Sequence, residues 1–327
     1  MYKKIIKIVL VPVILLLFFS CSARSFFRFY SDEKIGFVDS SGNVVISADF
    51  DQADDFSENL SRVIIDGKTG WINKNGESVI PTEFEQGGNF YEGRAFASKD
   101  GNLFGYIDKK GQWAIEPVWK KAADFSENLA AVEDGSGKAF IDKNGNIVFR
   151  HEYEFSGNFS DGRALVVIDG NFGFIDKTGE LVIPAEYKFA RDFSDGRALV
   201  VIDGKGGFIN KDGELTVPAN YEYTASFSDG LALFVRDGKA GFLDKQGKEV
   251  IPPMYPWAGD FSEGLVPVAI GQYIGFINKK GEVVIEAKYK YAETFQNGLA
   301  LVMEEDKIQY IDKKGKVRWS TESLKSE

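Results

Sequence analysis

Residues 173–206 read GFIDKTGELVIPAEYKFARDFSDGRALVVIDGKG, and this stretch decides the fold because the same phrase returns along the whole chain. The next 34 residues, 207–240, read GFINKDGELTVPANYEYTASFSDGLALFVRDGKA and match it at 20 of 34 positions. Nine copies begin at Gly36, Gly70, Gly105, Ala139, Gly173, Gly207, Gly241, Gly275 and Gln309. A fixed period of this size is typical of a repeat architecture, in which each unit buries its apolar surface against its neighbours.

Each copy predicts three β-strands. Residues 197–202 (RALVVI) are rich in β-branched side chains, and Asp203 and Gly204 then give the signal for a tight hairpin. Residues 207–210 form the second strand, and residues 180–183 show the third. The third strand reaches a proline in five units. Because proline donates no ladder hydrogen bond, we expect this strand to lie at a sheet edge or to stop there.

The turn after the second strand carries a glycine at the same place in every copy. These glycines are Gly42, Gly76, Gly111, Gly145, Gly179, Gly213, Gly247, Gly281 and Gly315. Glycine at nine of nine positions predicts a positive φ, where a Cβ atom would clash. The turn opens with Asp39, Asn73, Asp108, Asp142, Asp176, Asn210, Asp244, Asn278 or Asp312. Since asparagine serves in three copies, we predict an oxygen that caps the turn and not a metal or acid/base array.

The linkers between units share a phenylalanine and an acidic turn. The phenylalanines are Phe56, Phe90, Phe125, Phe159, Phe193, Phe227, Phe261 and Phe295. We predict that each is a buried plug that seals one unit against the next; a ladder of aromatic rings that stacks on a ligand is the alternative. The acids are Glu58, Glu92, Glu127, Asp161, Asp195, Asp229 and Glu263. Asn297 takes their place in the last linker, which indicates that the charge is not required.

The predicted fold class is all-β, with nine tandem three-stranded units over residues 26–319, a polar tail at 320–327 and no second domain. Both faces of the RALVVI strand are apolar, so each small sheet is expected to lie between two neighbouring sheets. Stacked, propeller-like units satisfy this condition. An open superhelical β-solenoid satisfies it as well.

The repeated phrase resembles the bacterial WG (KWG) β-repeat family. The resemblance is carried by Gly-aromatic-Ile-Asp-Lys-x-Gly-x-Val-Val-Ile-Pro and by Phe-Ser-Glu-Gly-Leu-Ala, and it covers about residues 26–319. The tryptophan that names the family is replaced before the glycine, for example by Thr69, Gly206 and Ala240. The resemblance implies an envelope or secreted β-repeat protein with no assigned catalytic activity. It brings no set of functional residues with it.

The N-terminus reads as an export signal. Residues 1–20 contain a basic start and an apolar run from 8 to 19, which is too short to span a bilayer comfortably. Ser20 and Cys21 at its end resemble the lipobox of bacterial lipoproteins. We therefore expect Cys21 to carry the lipid (palmitate among its acyl chains), with residues 21–25 as a short tether. The protein would then be anchored in the cell envelope, at the outer membrane where a cell has one. An ordinary secretory signal is the alternative.

The composition argues against several classes of chemistry. The net charge of −10 repels phosphate backbones, so no nucleic-acid partner is expected. One cysteine and one histidine leave no conventional zinc site or His-based triad. We predict no catalytic residue, no metal and no cofactor. The fourth unit departs most from the repeat, and Trp113, Trp119, Arg150 and His151 form a candidate recognition patch for a glycan or peptide. Drift of a surface face is the alternative there.

These features favour a lipid-anchored, non-enzymatic scaffold that binds a protein or a cell-wall polymer through a long repetitive surface. A carbohydrate-binding module that uses exposed aromatic rings is the second hypothesis. A hydrolase built on a propeller is the third, and it is disfavoured because no pair of carboxylates stands out from the turn pattern.

Overall fold

A computed structural model describes residues 25–31 and 33–321, so residues 1–20, Cys21 and most of the polar tail lie outside the described residues. The described part forms nine small antiparallel sheets, numbered here in chain order. No helix in this part is long and apolar enough to cross a membrane.

The strands of the first five sheets are as follows. Sheet 1 has β1 (Phe26–Ser31), β2 (Lys34–Asp39) and β3 (Val44–Phe50). Sheet 2 has β4 (Gln52–Ala53), β5 (Leu60–Ile65), β6 (Lys68–Asn73) and β7 (Ser78–Phe84). Sheet 3 has β8 (Gln86–Gly87), β9 (Ala95–Ser98), β10 (Phe104–Ile107) and β11 (Trp113–Trp119). Sheet 4 has β12 (Lys121–Ala122), β13 (Ala130–Asp134), β14 (Gly137–Ile141) and β15 (Ile147–His151). Sheet 5 has β16 (Phe155–Ser160), β17 (Arg163–Ile168), β18 (Asn171–Ile175) and β19 (Leu181–Tyr187).

The remaining four sheets repeat this order. Sheet 6 has β20 (Phe189–Ala190), β21 (Ala198–Ile202), β22 (Lys205–Ile209) and β23 (Leu215–Tyr221). Sheet 7 has β24 (Tyr223–Thr224), β25 (Ala232–Arg236), β26 (Lys239–Leu243) and β27 (Glu249–Tyr255). Sheet 8 has β28 (Leu265–Ile270), β29 (Tyr273–Asn278) and β30 (Val283–Tyr289). Sheet 9 has β31 (Tyr291–Ala292), β32 (Leu299–Glu304), β33 (Lys307–Asp312) and β34 (Val317–Ser320).

The three predicted strands are present in every sheet, and seven of the nine sheets add a strand that the sequence did not predict. In most sheets this extra strand is two residues long and lies in the linker, where it pairs with the RALVVI-type strand. In sheet 8 the pairing is reduced to a single bridge between Ala258 and Val268. A strand of two residues is too short to give a periodic pattern, so this strand was not predictable from the sequence.

The third strand lies at the edge of its sheet, as the prolines indicated, but it continues for two or three residues past them. In sheet 5, Ile183 pairs with Phe174 and Tyr187 pairs with Phe172. The chain therefore advances four residues along β19 for two residues along β18. This bulge brings the backbone close to Gly173, where a Cβ atom would lie 2.7 Å from a carbonyl oxygen. Where alanine or glutamine replaces that glycine, in sheets 4 and 9, the strands pair without this wide bulge.

The conserved turn has the predicted geometry. All nine turn glycines have a positive φ, between +77° and +91°. The Asp176 Oδ1 atom accepts hydrogen bonds from the backbone N–H groups of Thr178 and Glu180, at 2.8 and 3.1 Å. Asn210 caps its turn in the same way, and so do the other seven residues at this position. The capping interpretation is confirmed.

Seven of the eight linker phenylalanines are the predicted buried plugs, and Phe56 is partly exposed. Phe193 is 1% exposed, and its ring lies 4.9 Å from the ring of Phe174 on the preceding sheet. The same contact with the second-strand aromatic recurs at all eight linkers. Each core cluster therefore spans two sheets, and no unit completes a core alone.

The linker acids carry a role that the sequence interpretation missed. Glu127 accepts a hydrogen bond from the backbone N–H of Gly162 in the next unit and pairs with Lys177, at 2.9 Å. Six other linkers repeat both contacts. Asn297 replaces the acid only where the lysine is also replaced, by Ser40 of sheet 1. The inference that charge is not required did not include this ion pair, which the carboxylate forms in seven linkers.

The first and last sheets close the array into a ring. The ring of Phe27 lies 5.1 Å from the ring of Tyr310, and the Tyr310 hydroxyl donates to the backbone oxygen of Arg28 at 2.9 Å. Phe29 packs on Trp319 at 5.8 Å. Phe27 thus contacts the second-strand aromatic of sheet 9, which is the contact that a linker phenylalanine makes elsewhere. The molecule is a nine-bladed β-propeller, and the open solenoid alternative is wrong.

Candidate binding surface

Five consecutive sheets present an aromatic side chain to solvent at the same repeat position. We call these residues the aromatic arc: Phe155, Phe189, Tyr223, Trp257 and Tyr291, which are 52, 41, 51, 45 and 47% exposed. Successive members are 34 residues apart. The same position is Gln52, Gln86 and Lys121 in sheets 2 to 4, so among the described residues the arc covers sheets 5 to 9.

In the sheets that have it, the extra linker strand explains why these rings point outward. In the linker before sheet 6, Tyr187, Ala190 and Phe193 are all buried, and Phe189 between them is exposed. Phe189 and Ala190 are adjacent in β20, and successive side chains of a strand point to opposite faces. The sequence did contain this signal, because an aromatic residue returns five times with a spacing of 34. Without the strand, exposed and buried aromatic positions in the same linker were not distinguishable.

Concave grooves lie beside the arc. A groove of about 340 Å³ lies between Tyr223 and Trp257 and is also lined by Arg191, Ser226 and Asp260. We call it the Tyr223/Trp257 groove. A smaller one of about 120 Å³ separates Phe189 from Tyr223. A third, of about 270 Å³, lies beside Phe155.

The charged groups of the Tyr223/Trp257 groove are held near the aromatic rings. The guanidinium of Arg191 lies over the ring of Phe189, 5.9 Å from its centroid. Partial burial raises the pKa of the Asp260 carboxyl above its usual value, and the positive charge of Arg191 acts in the opposite direction. Aromatic side chains with a few polar groups are the common lining of small-molecule sites.

A fourth cavity, of about 250 Å³, lies at the closing junction between sheets 9 and 1. Arg28, Lys74 and Glu293 line it, and Arg28 pairs with Asp55 at 2.9 Å. Ser25, the first described residue, borders this cavity. No group of three or more His, Cys, Asp or Glu side chains in the described ranges is placed to hold a metal ion.

The structure does not bring the residues of the candidate recognition patch to one exposed surface. Trp113 and Trp119 lie on β11, where Trp113 packs against Phe84 and Trp119 is 5% exposed. Arg150 is exposed, and its guanidinium forms two hydrogen bonds with the Asp134 carboxylate, at 3.2 and 2.8 Å.

His151 is also withdrawn from solvent. It is 9% exposed, and its ring stacks on Tyr153 with centroids 5.0 Å apart. Burial lowers the pKa of its imidazole. Cys21, the proposed lipid attachment residue, lies outside the described residues.

A family model for the WG-containing repeat matches residues 35–68, 70–102, 104–137, 139–172, 172–205, 207–239, 241–273 and 274–307. The chain belongs to the WG-repeat family. This confirms the resemblance found in the sequence. No curated protein matches the chain.

Solved structures similar to the WG-repeat ring include a eukaryotic initiation factor. It is 13% identical with a TM-score of 0.63, and the match covers 91% of this chain and 96% of that one. BamB from Moraxella catarrhalis is 12% identical with a TM-score of 0.42, over 89% of this chain and 98% of that one. At 13% identity, the similarity to the initiation factor shows the propeller fold alone.

Proposed function

We propose that this protein is a non-enzymatic binding scaffold of the bacterial cell envelope that contacts a protein or a cell-wall polymer through the aromatic arc. The observation that carries the proposal is the exposure of five aromatic rings at one repeat position. Tyr223 and Trp257 are about half exposed, whereas every linker plug except Phe56 is at most 2% exposed. Large apolar groups that recur at a solvent-facing position favour a contact surface over a role in folding.

The regular spacing of the arc suits an extended partner. Each aromatic side chain of the arc belongs to a different sheet of the closed propeller, so a long molecule meets several similar contacts in turn. Linked contacts of this kind strengthen binding together even when each one is weak. A WG-repeat propeller supplies the scaffold for such a surface.

The distribution of acids supports the non-enzymatic part of the proposal. Seven linker acids each accept a hydrogen bond from a backbone N–H of the next unit and form an ion pair with a lysine. The residues that open the turns after the second strands, such as Asp39, accept hydrogen bonds from backbone N–H groups of their own turns. These repeated carboxylates therefore stabilise the ring. The net charge of −10 repels the phosphate backbone of nucleic acids, so we propose no nucleic-acid partner.

A photoreactive phenylalanine analogue placed at residue 223 tests the surface in intact cells. We expect a discrete cross-linked adduct from this position and none from residue 30, where Tyr30 is 62% exposed but outside the arc. Changing Phe155, Phe189 and Tyr291 to serine should reduce the adduct by about tenfold, since linked contacts act together. Equal adducts from residues 30 and 223, or a yield that the serine variant leaves unchanged, would contradict the proposal.

The envelope location is proposed from residues 1–21 alone. In the variant Cys21→Ala we expect the lipid label to disappear and the protein to leave the membrane fraction, because the acyl chains supply the anchoring energy. Metabolic labelling with a fatty-acid analogue and fractionation of the cells measure both effects. A variant that is still labelled and membrane-bound would rule out lipidation at this residue.

A further inference from the structure

We propose that the Tyr223/Trp257 groove binds an uncharged sugar unit of a polysaccharide. This inference rests on the proposed function, because the groove lies within the aromatic arc. It goes further by assigning one chemical class of ligand to one place on the ring.

Sheet 8 makes this groove different from the others along the arc. Trp257 is the only tryptophan of the arc and follows Pro256, and the short strand found in most other linkers is reduced there to a single bridge. Gly259 and Ala225 stand where Arg191 stands in the linker before sheet 6. Both small residues line the groove, whose volume is about 340 Å³. This lies near the lower end of volumes seen for small-molecule sites, about 300–1,000 Å³.

The two rings supply the apolar part of a sugar site. Tyr223 and Trp257 flank the groove and are 51 and 45% exposed, so their surfaces are available without unfolding a neighbour. Tyrosine and tryptophan give a large rigid contact area at a small cost in side-chain entropy. The carbon-bound hydrogens of a pyranose ring form a flat apolar face that fits such a surface.

The polar groups match hydroxyls better than they match charged ligands. A guanidinium only donates hydrogen bonds, and a carboxylate only accepts them. Arg191 and Asp260 line one groove with opposite charges, and the positive charge of Arg191 acts on the Asp260 carboxyl. Their charges cancel, which favours a neutral ligand. Sugar hydroxyls both donate and accept, so a single neutral ligand satisfies both groups.

A peptide fits the groove less well. Peptides that add a strand to a sheet need a row of free backbone groups at the sheet edge. In sheet 8 that edge is one bridge at Ala258, preceded by Pro256, which has no N–H. Proline-rich peptides dock on aromatic grooves, but their prolines offer no N–H donor and would leave the Asp260 carboxylate unmatched.

Titration of the full chain with neutral hexasaccharides tests the assignment. The probes are cellohexaose, chitohexaose and a proline decapeptide, and the readouts are tryptophan fluorescence and calorimetry. We expect saturable binding of at least one hexasaccharide and none of the decapeptide. The affinity should fall about tenfold or more in Trp257→Ala and in Asp260→Ala, and stay within about threefold in Trp257→Phe, since each tenfold step is about 1.4 kcal/mol. Tyr30→Ala, outside the arc, is the control and should bind normally.

Three results would overturn the inference. They are no saturable sugar binding up to about 10 mM, sugar binding that Trp257→Ala leaves unchanged, or decapeptide binding that Trp257→Ala abolishes. Trp257, Asp260 and Tyr30 are all exposed residues, so thermal unfolding close to that of the parent protein verifies that the fold persists. Cross-linking from residue 223 in cells with no hexasaccharide binding would remove the sugar assignment and leave the scaffold proposal standing.

Discussion

Replacing Phe193 by alanine is expected to lower the free energy of unfolding by about 3–5 kcal/mol. The side chain is 1% exposed and packs between sheets 5 and 6, in a cluster with Phe174 and Ile183. Its removal loses apolar burial and leaves a cavity at a junction that both neighbouring sheets share. Denaturant unfolding followed by circular dichroism measures the effect.

Phe189 is the matched control, because it is a phenylalanine in the same linker but is 41% exposed. Phe189→Ala should change the stability by no more than about 0.5 kcal/mol, as surface substitutions generally do. A similar loss of unfolding free energy in the two variants would mean that the division into buried plugs and an exposed arc is incorrect. It would also refute the proposed binding surface.

Gly42→Ala is expected to destabilise the ring by more than any other single glycine-to-alanine change at these turns. Gly42 has a φ of +91°, and an added Cβ atom would lie 1.8 Å from the backbone oxygen of Arg318 in the last strand. At the other eight turns the added atom meets a side chain of the preceding sheet, which has more freedom to move. The left-handed backbone costs about 1–3 kcal/mol, and the clash with a fixed carbonyl adds to that cost.

Gly67→Ala separates the two contributions. Gly67 has a φ of +76°, but nothing lies within 4 Å of an added Cβ atom. We expect this control to lose about 1–2 kcal/mol and Gly42→Ala to lose more, with faster hydrogen exchange in β34. Equal losses for the two variants would show that sheets 1 and 9 are not in contact, and the closed ring would be refuted.

Local features of each unit were predictable because they depend on residues close together in the chain. The turn glycines, the caps such as Asp176 and the hairpin at Asp203 follow from backbone sterics within a few residues. Nine copies in one sequence made these positions recognisable. The plugs were predictable for the same reason, since a phenylalanine that never varies over eight linkers indicates burial.

Contacts between units were less accessible to sequence reasoning. Glu127 and Lys177 are 50 residues apart, and only the stacking of sheets brings the carboxylate to the ammonium group. The change to Asn297 therefore suggested that charge was dispensable, although Ser40 had replaced its partner lysine on the other side of the closing junction. The candidate patch around His151 failed to assemble for a related reason: departure from a repeat pattern does not reveal which side chains are buried.

The sequence by itself determined the units: their number, their strands, their turns and the residues that seal one to the next. These follow from a period of 34 residues and from the geometry of glycine, proline and phenylalanine. Only the tertiary structure decided that the array closes and that five aromatic rings face solvent together. Closure depends on the angle between successive sheets, summed nine times, so it appears only when all nine units are packed. Exposure of the rings depends on how each linker lies against the first long strand of its sheet, which the sequence pattern does not show.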